Sequence, residues 1–77
     1  MSEQRRNKWK ALMRVQVIVN GNVQVDERLN PENKSLWAML SETVCSSGHV
    51  IKLKQVVRDG RWLVYSWDNN TVRVSPI

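Results

Sequence analysis

Apolar and polar residues alternate over residues 15–25, with one interruption in the middle, which predicts a β-hairpin. The apolar positions are Val15, Val17, Val19, Val23 and Val25, on either side of Asn20-Gly21-Asn22. A two-residue Asn-Gly loop would divide these valines between both faces of the hairpin. A three-residue loop over residues 20–22 instead pairs Val19 with Val23. It also pairs Val17 with Val25, and we expect that register. The outward face then carries Arg14, Gln16, Ile18, Gln24, Asp26 and Arg28.

A helical pattern follows the hairpin. Asn30-Pro31-Glu32 is typical of a helix start, because Asn caps free backbone donors, Pro suits the first helical position and Glu faces the positive end of the helix dipole. Apolar side chains then recur at helical spacing at Leu36, Met39, Leu40 and Val44. Gly48 can adopt the left-handed conformation that ends many helices. We expect one short helix over residues 31–47 that depends on packing against a sheet.

The last third of the chain predicts two further hairpins. A two-residue loop at Asp59-Gly60 would pair Val57 with Trp62, and a three-residue loop over residues 68–70 would set Val74 opposite Val64. One face of these strands would then be apolar, with Ile51, Leu53, Val57, Trp62 and Val64 beside Val72 and Val74. The other face would carry Lys52, Lys54, Val56, Arg58, Arg61, Leu63, Tyr65 and Trp67, with Arg73 beside Tyr65. Trp62 would therefore belong to the core.

These elements give the order β-β-α-β-β-β and an α+β fold of two layers, with one helix packed on a twisted antiparallel sheet. Residues 11–77 form a single domain in this interpretation. Residues 1–10 are expected to form a mobile basic arm, since they carry little large apolar surface beyond Trp9,. The arm's cations, Arg5, Arg6, Lys8 and Lys10, could contact phosphate or simply be solvated.

Twelve Lys and Arg residues outnumber seven Asp and Glu residues, for a net charge of +5. A charge of this size favours polyanionic partners, although a soluble domain can also be basic for other reasons. The predicted outward face therefore suggests contact with a protein partner or with DNA or RNA phosphates, through Lys52, Lys54, Arg58, Arg61, Tyr65, Trp67 and Arg73,. Its two aromatic rings could stack on bases or cover the strand edge.

Catalytic chemistry is not indicated. Cys45 and His49 lie four residues apart, but zinc needs four ligands and a cysteine nucleophile needs a base and an oxyanion hole. We expect neither an enzyme nor a metal, cofactor or small-molecule substrate. One cysteine permits no internal disulfide, and no apolar run has the length of a membrane span or signal segment. A cytoplasmic protein without membrane association is expected.

One stretch resembles a known family. Cys45 and Gly48 precede an alternating strand, and Asp59-Gly60 leads into Trp62-Leu63 and then Tyr65. About twenty residues, 45–65, are similar in this way to the C-terminal half of small phage-encoded anti-CRISPR proteins that act on type I-F surveillance complexes. The chain departs from that pattern by its longer N-terminal arm, its Asn-Gly hairpin and Trp67.

The resemblance implies a non-enzymatic inhibitor in a bacterial host. Proteins of this kind bind the Cas7-type backbone that holds the guide RNA and block recognition of target DNA. Of the candidate residues, only Lys52 and Lys54 lie in the matched strand, so only these two carry the family role.

Two other classes of function stay open from the sequence. A small DNA- or RNA-binding regulator would act directly on nucleic acid, although the helix segment has few cations for a major groove. A homodimeric structural module would pair through an exposed edge strand.

Overall fold

The computed structural model describes residues 12–30 and 34–77. Its elements in chain order are β1 (Met13–Val19), β2 (Asn22–Leu29), α1 (Leu36–Ser46), a 3-10 turn (Leu53–Gln55), β3 (Val57–Asp59), β4 (Trp62–Trp67) and β5 (Asn70–Pro76). The predicted order β-β-α-β-β-β and the α+β class are confirmed. The predicted arm, residues 1–10, lies outside the described residues.

The five strands form one antiparallel sheet in the order β2-β1-β5-β4-β3. The helix therefore follows the strand at one edge and precedes the strand at the other edge. It packs over β4 and β5. The long strand predicted from residue 51 is wrong in its first half, because residues 53–55 form a 3-10 turn and the edge strand that follows has only three residues.

A β-bulge sets the register of the first hairpin. Asn20 and Gly21 form a two-residue loop with positive φ at both positions, as a type I′ turn requires,. Val19 pairs with Asn22, so the predicted three-residue loop is wrong. One extra residue on β2, Gln24, then restores the predicted pairing of Val17 with Val25,. The bulge therefore accommodates both the Asn-Gly turn and the alternation of valines.

The two later hairpins also use two-residue loops, at residues 60–61 and 68–69. Asp59 pairs with Trp62, and Tyr65 pairs with Val72. The first loop keeps the predicted face of β3 relative to β4 but moves the pairing by two residues. The second loop is one residue shorter than predicted, which reverses every side chain of β4 relative to β5. Gly60 and Asp68 stand first in these loops and have positive φ, which fits tight hairpin turns,.

This reversal exchanges the predicted roles of two aromatic residues. Tyr65 is completely buried in the core, so its predicted place on the solvent face is wrong. Trp62 is half-buried on the sheet face that the helix does not cover, so its assignment to the core is also wrong. Leu53 and Val57, predicted to be core residues, are exposed.

The core lies between α1 and the sheet. Its buried side chains are Met13, Val15, Met39, Leu40, Val44, Leu63, Tyr65, Val72 and Val74. The predicted helical stripe is confirmed, since three of its four members are among them and the fourth, Leu36, packs against the cluster. Trp67 and Ile51 also pack against this cluster.

Both ends of the helix are capped, but the start differs from the prediction. Ser35 is the N-cap, and its hydroxyl accepts a hydrogen bond from the backbone N–H of Ala38 at 3.1 Å,. At the other end, Gly48 has the predicted left-handed conformation, with φ of 86°. The N–H of His49 donates to the carbonyl of Val44, which gives the hydrogen bonding of a Schellman cap,. Asn30-Pro31-Glu32 precedes the observed start, and residues 31–33 lie outside the described residues.

The orientation of β4 can be tested with two leucines. Leu63→Ala should lower the free energy of unfolding by about 2–5 kcal/mol, because this side chain is only 2% exposed,. Leu53→Ala is the matched control, since Leu53 is 62% exposed and should change stability by about 0.5 kcal/mol or less,. Urea unfolding monitored by circular dichroism measures both values. Equal effects of the two substitutions would contradict the observed register.

Candidate nucleic-acid interface

The sheet face opposite the helix carries a mixed polar and apolar surface, here called the open face. Directly paired residues share a face, so the registers define its members. They are Arg14, Gln16, Ile18, Val23, Asp26, Arg28, Val57, Asp59, Trp62, Val64, Ser66, Thr71, Arg73 and Ser75. The predicted outward set of the first hairpin is confirmed for Arg14, Gln16, Ile18, Asp26 and Arg28, whereas Gln24 is the bulge residue.

Hydrogen bonds link the polar side chains of the open face across three strands. Arg14 donates from Nε and Nη2 to the two carboxylate oxygens of Asp26 at 2.9 and 2.8 Å. Gln16 donates from Nε2 to the same carboxylate at 3.1 Å, and its Oε1 accepts from Nη1 of Arg73 at 3.0 Å. Gln16 is buried, and both ends of its amide are thereby satisfied,. The amide therefore fixes the position of Arg73 relative to β1.

Arg73 also lies against Trp62. Its guanidinium carbon is 4.0 Å from the centroid of the indole ring, which is a cation–π geometry,. Among the described residues the ion pairs are Arg14–Asp26 and Lys34–Glu42, so Arg73 has no carboxylate partner there. The open face thus presents a half-buried, positioned cation stacked on an aromatic ring.

The Asp26 carboxylate is the acidic centre of this network. Hydrogen bonds from Arg14, and next from Gln16, hold the pKa of Asp26 well below its usual range. The same contact raises the pKa of Arg14. Both groups are charged at neutral pH, so the network retains its hydrogen bonds under ordinary conditions.

A second positive surface, here called the basic edge, lies at the other end of the sheet. It comprises Lys52, Lys54, Arg58 and Arg61, and all four residues are exposed. Their side chains form no ion pair within residues 12–30 and 34–77. Residues 52–61 contain four cations and one acid, whereas the rest of the described residues contain four cations and four acids. The whole positive excess of the described domain is therefore concentrated at the basic edge.

Tyr65 positions the start of the basic edge. Its buried hydroxyl accepts a hydrogen bond from the backbone N–H of Lys52 at 3.1 Å and shares another with Nε2 of His49 at 3.0 Å. The imidazole of His49 stacks on Trp67, with the ring centroids 4.7 Å apart. The connection between α1 and the 3-10 turn is thereby attached to the core.

The predicted site residues do not share one face. Lys52 and Lys54 lie in the connection and the 3-10 turn, and Arg61 lies in the loop before β4. Arg58 pairs with Leu63 and so belongs to the helix side of the sheet. Arg73 lies on the open face.

The two aromatic residues predicted to face solvent pack in or against the core instead. Tyr65 is in the core, and Trp67 is half-buried against His49. Their side chains are thus not exposed as the predicted register required.

The sequence did not indicate that Trp62 and Gln16 both contact Arg73. Each of the two faces of β4 carries a large apolar side chain. Alternation alone therefore does not show which face is buried. The regular valines at positions 72 and 74 were the usable signal, because a two-residue loop places them opposite Tyr65 and Leu63.

The described residues show no cluster of three or more His, Cys, Asp or Glu side chains able to hold a metal ion. Cys45 is exposed and is not in a disulfide, while the ring of His49 contacts Tyr65 and Trp67. Within the same residues, no helix has the length and apolar character needed to cross a membrane.

No protein-family model, curated protein or solved structure matches the chain.

The Asp26 network predicts a pH-dependent contribution to stability. The pKa of the Asp26 carboxyl is lower in the folded state than its unfolded value of about 4,. The stabilisation is therefore complete above that value and is lost as the pH falls through the folded pKa. Asp26→Asn should lower the urea midpoint at pH 7, and the difference from the unchanged protein should shrink below about pH 4.

Glu27→Gln is the control, because Glu27 is an exposed neighbouring acid that forms no ion pair among the described residues. Its effect should vary less between pH 7 and pH 2. The assigned network would be contradicted if the urea midpoints of Asp26→Asn and the unchanged protein differed by the same amount over this whole range.

Proposed function

We propose that this protein is a small non-enzymatic inhibitor that binds an RNA-guided type I CRISPR surveillance complex and blocks its recognition of target DNA. The concentration of the domain's positive excess at the basic edge carries the proposal. Phosphate groups attract such a cluster without regard to sequence. The resemblance of residues 45–65 to anti-CRISPR proteins supplies the identity of the target, with its Cas7-type backbone as the partner.

The basic edge suits this role because its side chains are exposed and have no competing acids close in sequence except Asp59. Lys52 and Lys54, the two residues to which the resemblance gives a role, lie within it. The backbone N–H of Lys52 is attached to the core through the hydroxyl of Tyr65. A segment whose backbone is held in this way loses less conformational entropy on binding than a flexible one, so more of the electrostatic attraction appears as affinity.

A direct DNA- or RNA-binding regulator is the second candidate, favoured by the same cluster of cations. Helix α1 contains no Lys or Arg and one Glu, so it lacks the side chains for reading a major groove,. Direct binding would therefore use the basic edge and the sheet. Either function would place the protein in the cytoplasm of its host, which is bacterial under the first proposal.

The basic edge is tested by reversing two of its charges. Lys54→Glu combined with Arg58→Glu should weaken binding to an assembled type I surveillance complex about a hundredfold, because attractive contacts become repulsive. Stability should change by about 0.5 kcal/mol or less per exposed site. Affinity measured by biolayer interferometry, beside thermal melting, gives both results.

The matched control changes the net charge equally at other places. Arg28→Glu combined with Lys34→Glu alters β2 and the segment before α1, and both residues are exposed. This variant should keep most of the affinity. Equal losses in the two variants would assign the effect to net charge, and no association of the unchanged protein with any type I complex would exclude the inhibitor.

Electrophoretic mobility shifts of the isolated protein on duplex DNA separate the two functions. Tight binding that persists near physiological salt would favour the regulator. Weak binding that salt removes fits the inhibitor, since non-specific phosphate contacts decrease steeply with salt concentration.

A further inference from the structure

We propose that Trp62 and Arg73 form a subsite for single-stranded nucleic acid on the open face. One base would stack on the Arg73 guanidinium, which itself lies on the indole of Trp62, and the remaining N–H donors of Arg73 would bind a phosphate. This inference rests on the proposed function. It specifies single-stranded nucleic acid as the part of the target that the open face would contact. The two residues come from adjacent strands, β4 and β5, so the sheet itself sets their separation.

Arg73 is held in place before any ligand binds. Gln16 accepts from its Nη1 atom at 3.0 Å, and the indole lies 4.0 Å from its central carbon. A guanidinium has five N–H donors, and the described side chains engage one of its nitrogens,. Donors on the other nitrogens remain for an incoming phosphate, and little side-chain entropy is lost because the group is already ordered.

Charge complementarity favours an anion at this site. The open face has two acids: Asp26 is occupied by Arg14 and Gln16, and Asp59, which pairs with Trp62, forms no ion pair with Arg73. Arg73 therefore has no carboxylate partner among the described residues. The basic edge adjoins the site, because Arg61 immediately precedes Trp62. A nucleic-acid backbone that reaches Arg73 would therefore remain in a region of positive charge.

Aromatic and apolar side chains favour a single strand over a duplex. Val64 pairs with Arg73 on one side and Val57 on the other, which gives a half-exposed apolar surface beside the indole. Unpaired bases can stack on an aromatic ring or on an arginine plane, whereas the bases of a duplex are already stacked on one another. The open face therefore fits a single-stranded segment.

The test compares two tryptophans on opposite layers, the half-buried Trp62 of the sheet and the exposed Trp37 of the helix. Trp62→Leu should weaken binding of fluorescently labelled dT12 about tenfold, which is the typical effect of losing one stacked base. Trp37→Leu is the matched control, because Trp37 is 46% exposed on α1. It should leave the affinity unchanged within twofold. Fluorescence anisotropy at two salt concentrations measures these affinities.

A second probe separates stacking from charge. Inorganic polyphosphate offers anions without bases, so Trp62→Leu should weaken its binding much less than the binding of dT12. Arg73→Gln should weaken the binding of both polyphosphate and dT12. If Trp62→Leu does not fold, the indole N–H signals of the unchanged protein provide the answer by NMR. The signal of Trp62 should shift on addition of dT12, and that of Trp37 should not.

Equal affinities of Trp62→Leu and Trp37→Leu for dT12, or no shift of the Trp62 signal, would overturn the subsite. A surveillance complex that loses affinity for Trp62→Leu while dT12 does not would assign the open face to a protein partner and also overturn it. Reversal of Lys54 and Arg58 distinguishes this failure from failure of the proposed function. If that reversal still abolishes binding to the complex, the basic edge stands without the subsite.

Discussion

The buried hydroxyl of Tyr65 is the polar group on which the arrangement of the domain depends. The ring is completely buried between helix and sheet, and the hydroxyl bonds to the backbone N–H of Lys52 and to the imidazole of His49. A buried hydroxyl without partners would cost about 1–3 kcal/mol. The core can therefore accept this tyrosine only if the connection after α1 lies against the sheet, and that connection carries the first cations of the basic edge.

The orientation of Tyr65 also determines the opposite surface. Side chains alternate along β4, so a buried Tyr65 places Trp62 and Val64 on the open face,. Arg73 on the neighbouring strand then meets the indole, and its hydrogen bond with Gln16 connects it to the Asp26 network. One choice of register thus creates both a structural anchor inside the molecule and a positioned arginine outside it. The proposed contacts with nucleic acid follow from the same geometry.

The sequence was sufficient for the number and order of the strands and the helix, because the valine alternation and the helical stripe have different periods. It did not indicate the 3-10 turn at residues 53–55. It was insufficient for the faces of β4, where Trp62 and Tyr65 are equally suited to a core by size. The deciding quantity was loop length, and a change of one residue reverses a strand. In the first hairpin the same ambiguity was resolved by a bulge at Gln24, which alternation does not indicate,. The charges of residues 52–61 were visible in the sequence, but their distribution over a turn, a strand and a loop required the structure.

Amide hydrogen exchange at Lys52 tests the central role of Tyr65 most directly. Lys52 has an exposed side chain in an irregular segment, yet its N–H is bonded to a buried hydroxyl. Its exchange should be slow in the unchanged protein. The adjacent N–H of Ile51 donates to no backbone carbonyl of the described residues, so it should exchange faster,. Tyr65→Phe should remove the protection of Lys52 while the amides of β5 stay protected. Rapid exchange of Lys52 in the unchanged protein, at the rate of Ile51, would contradict the account.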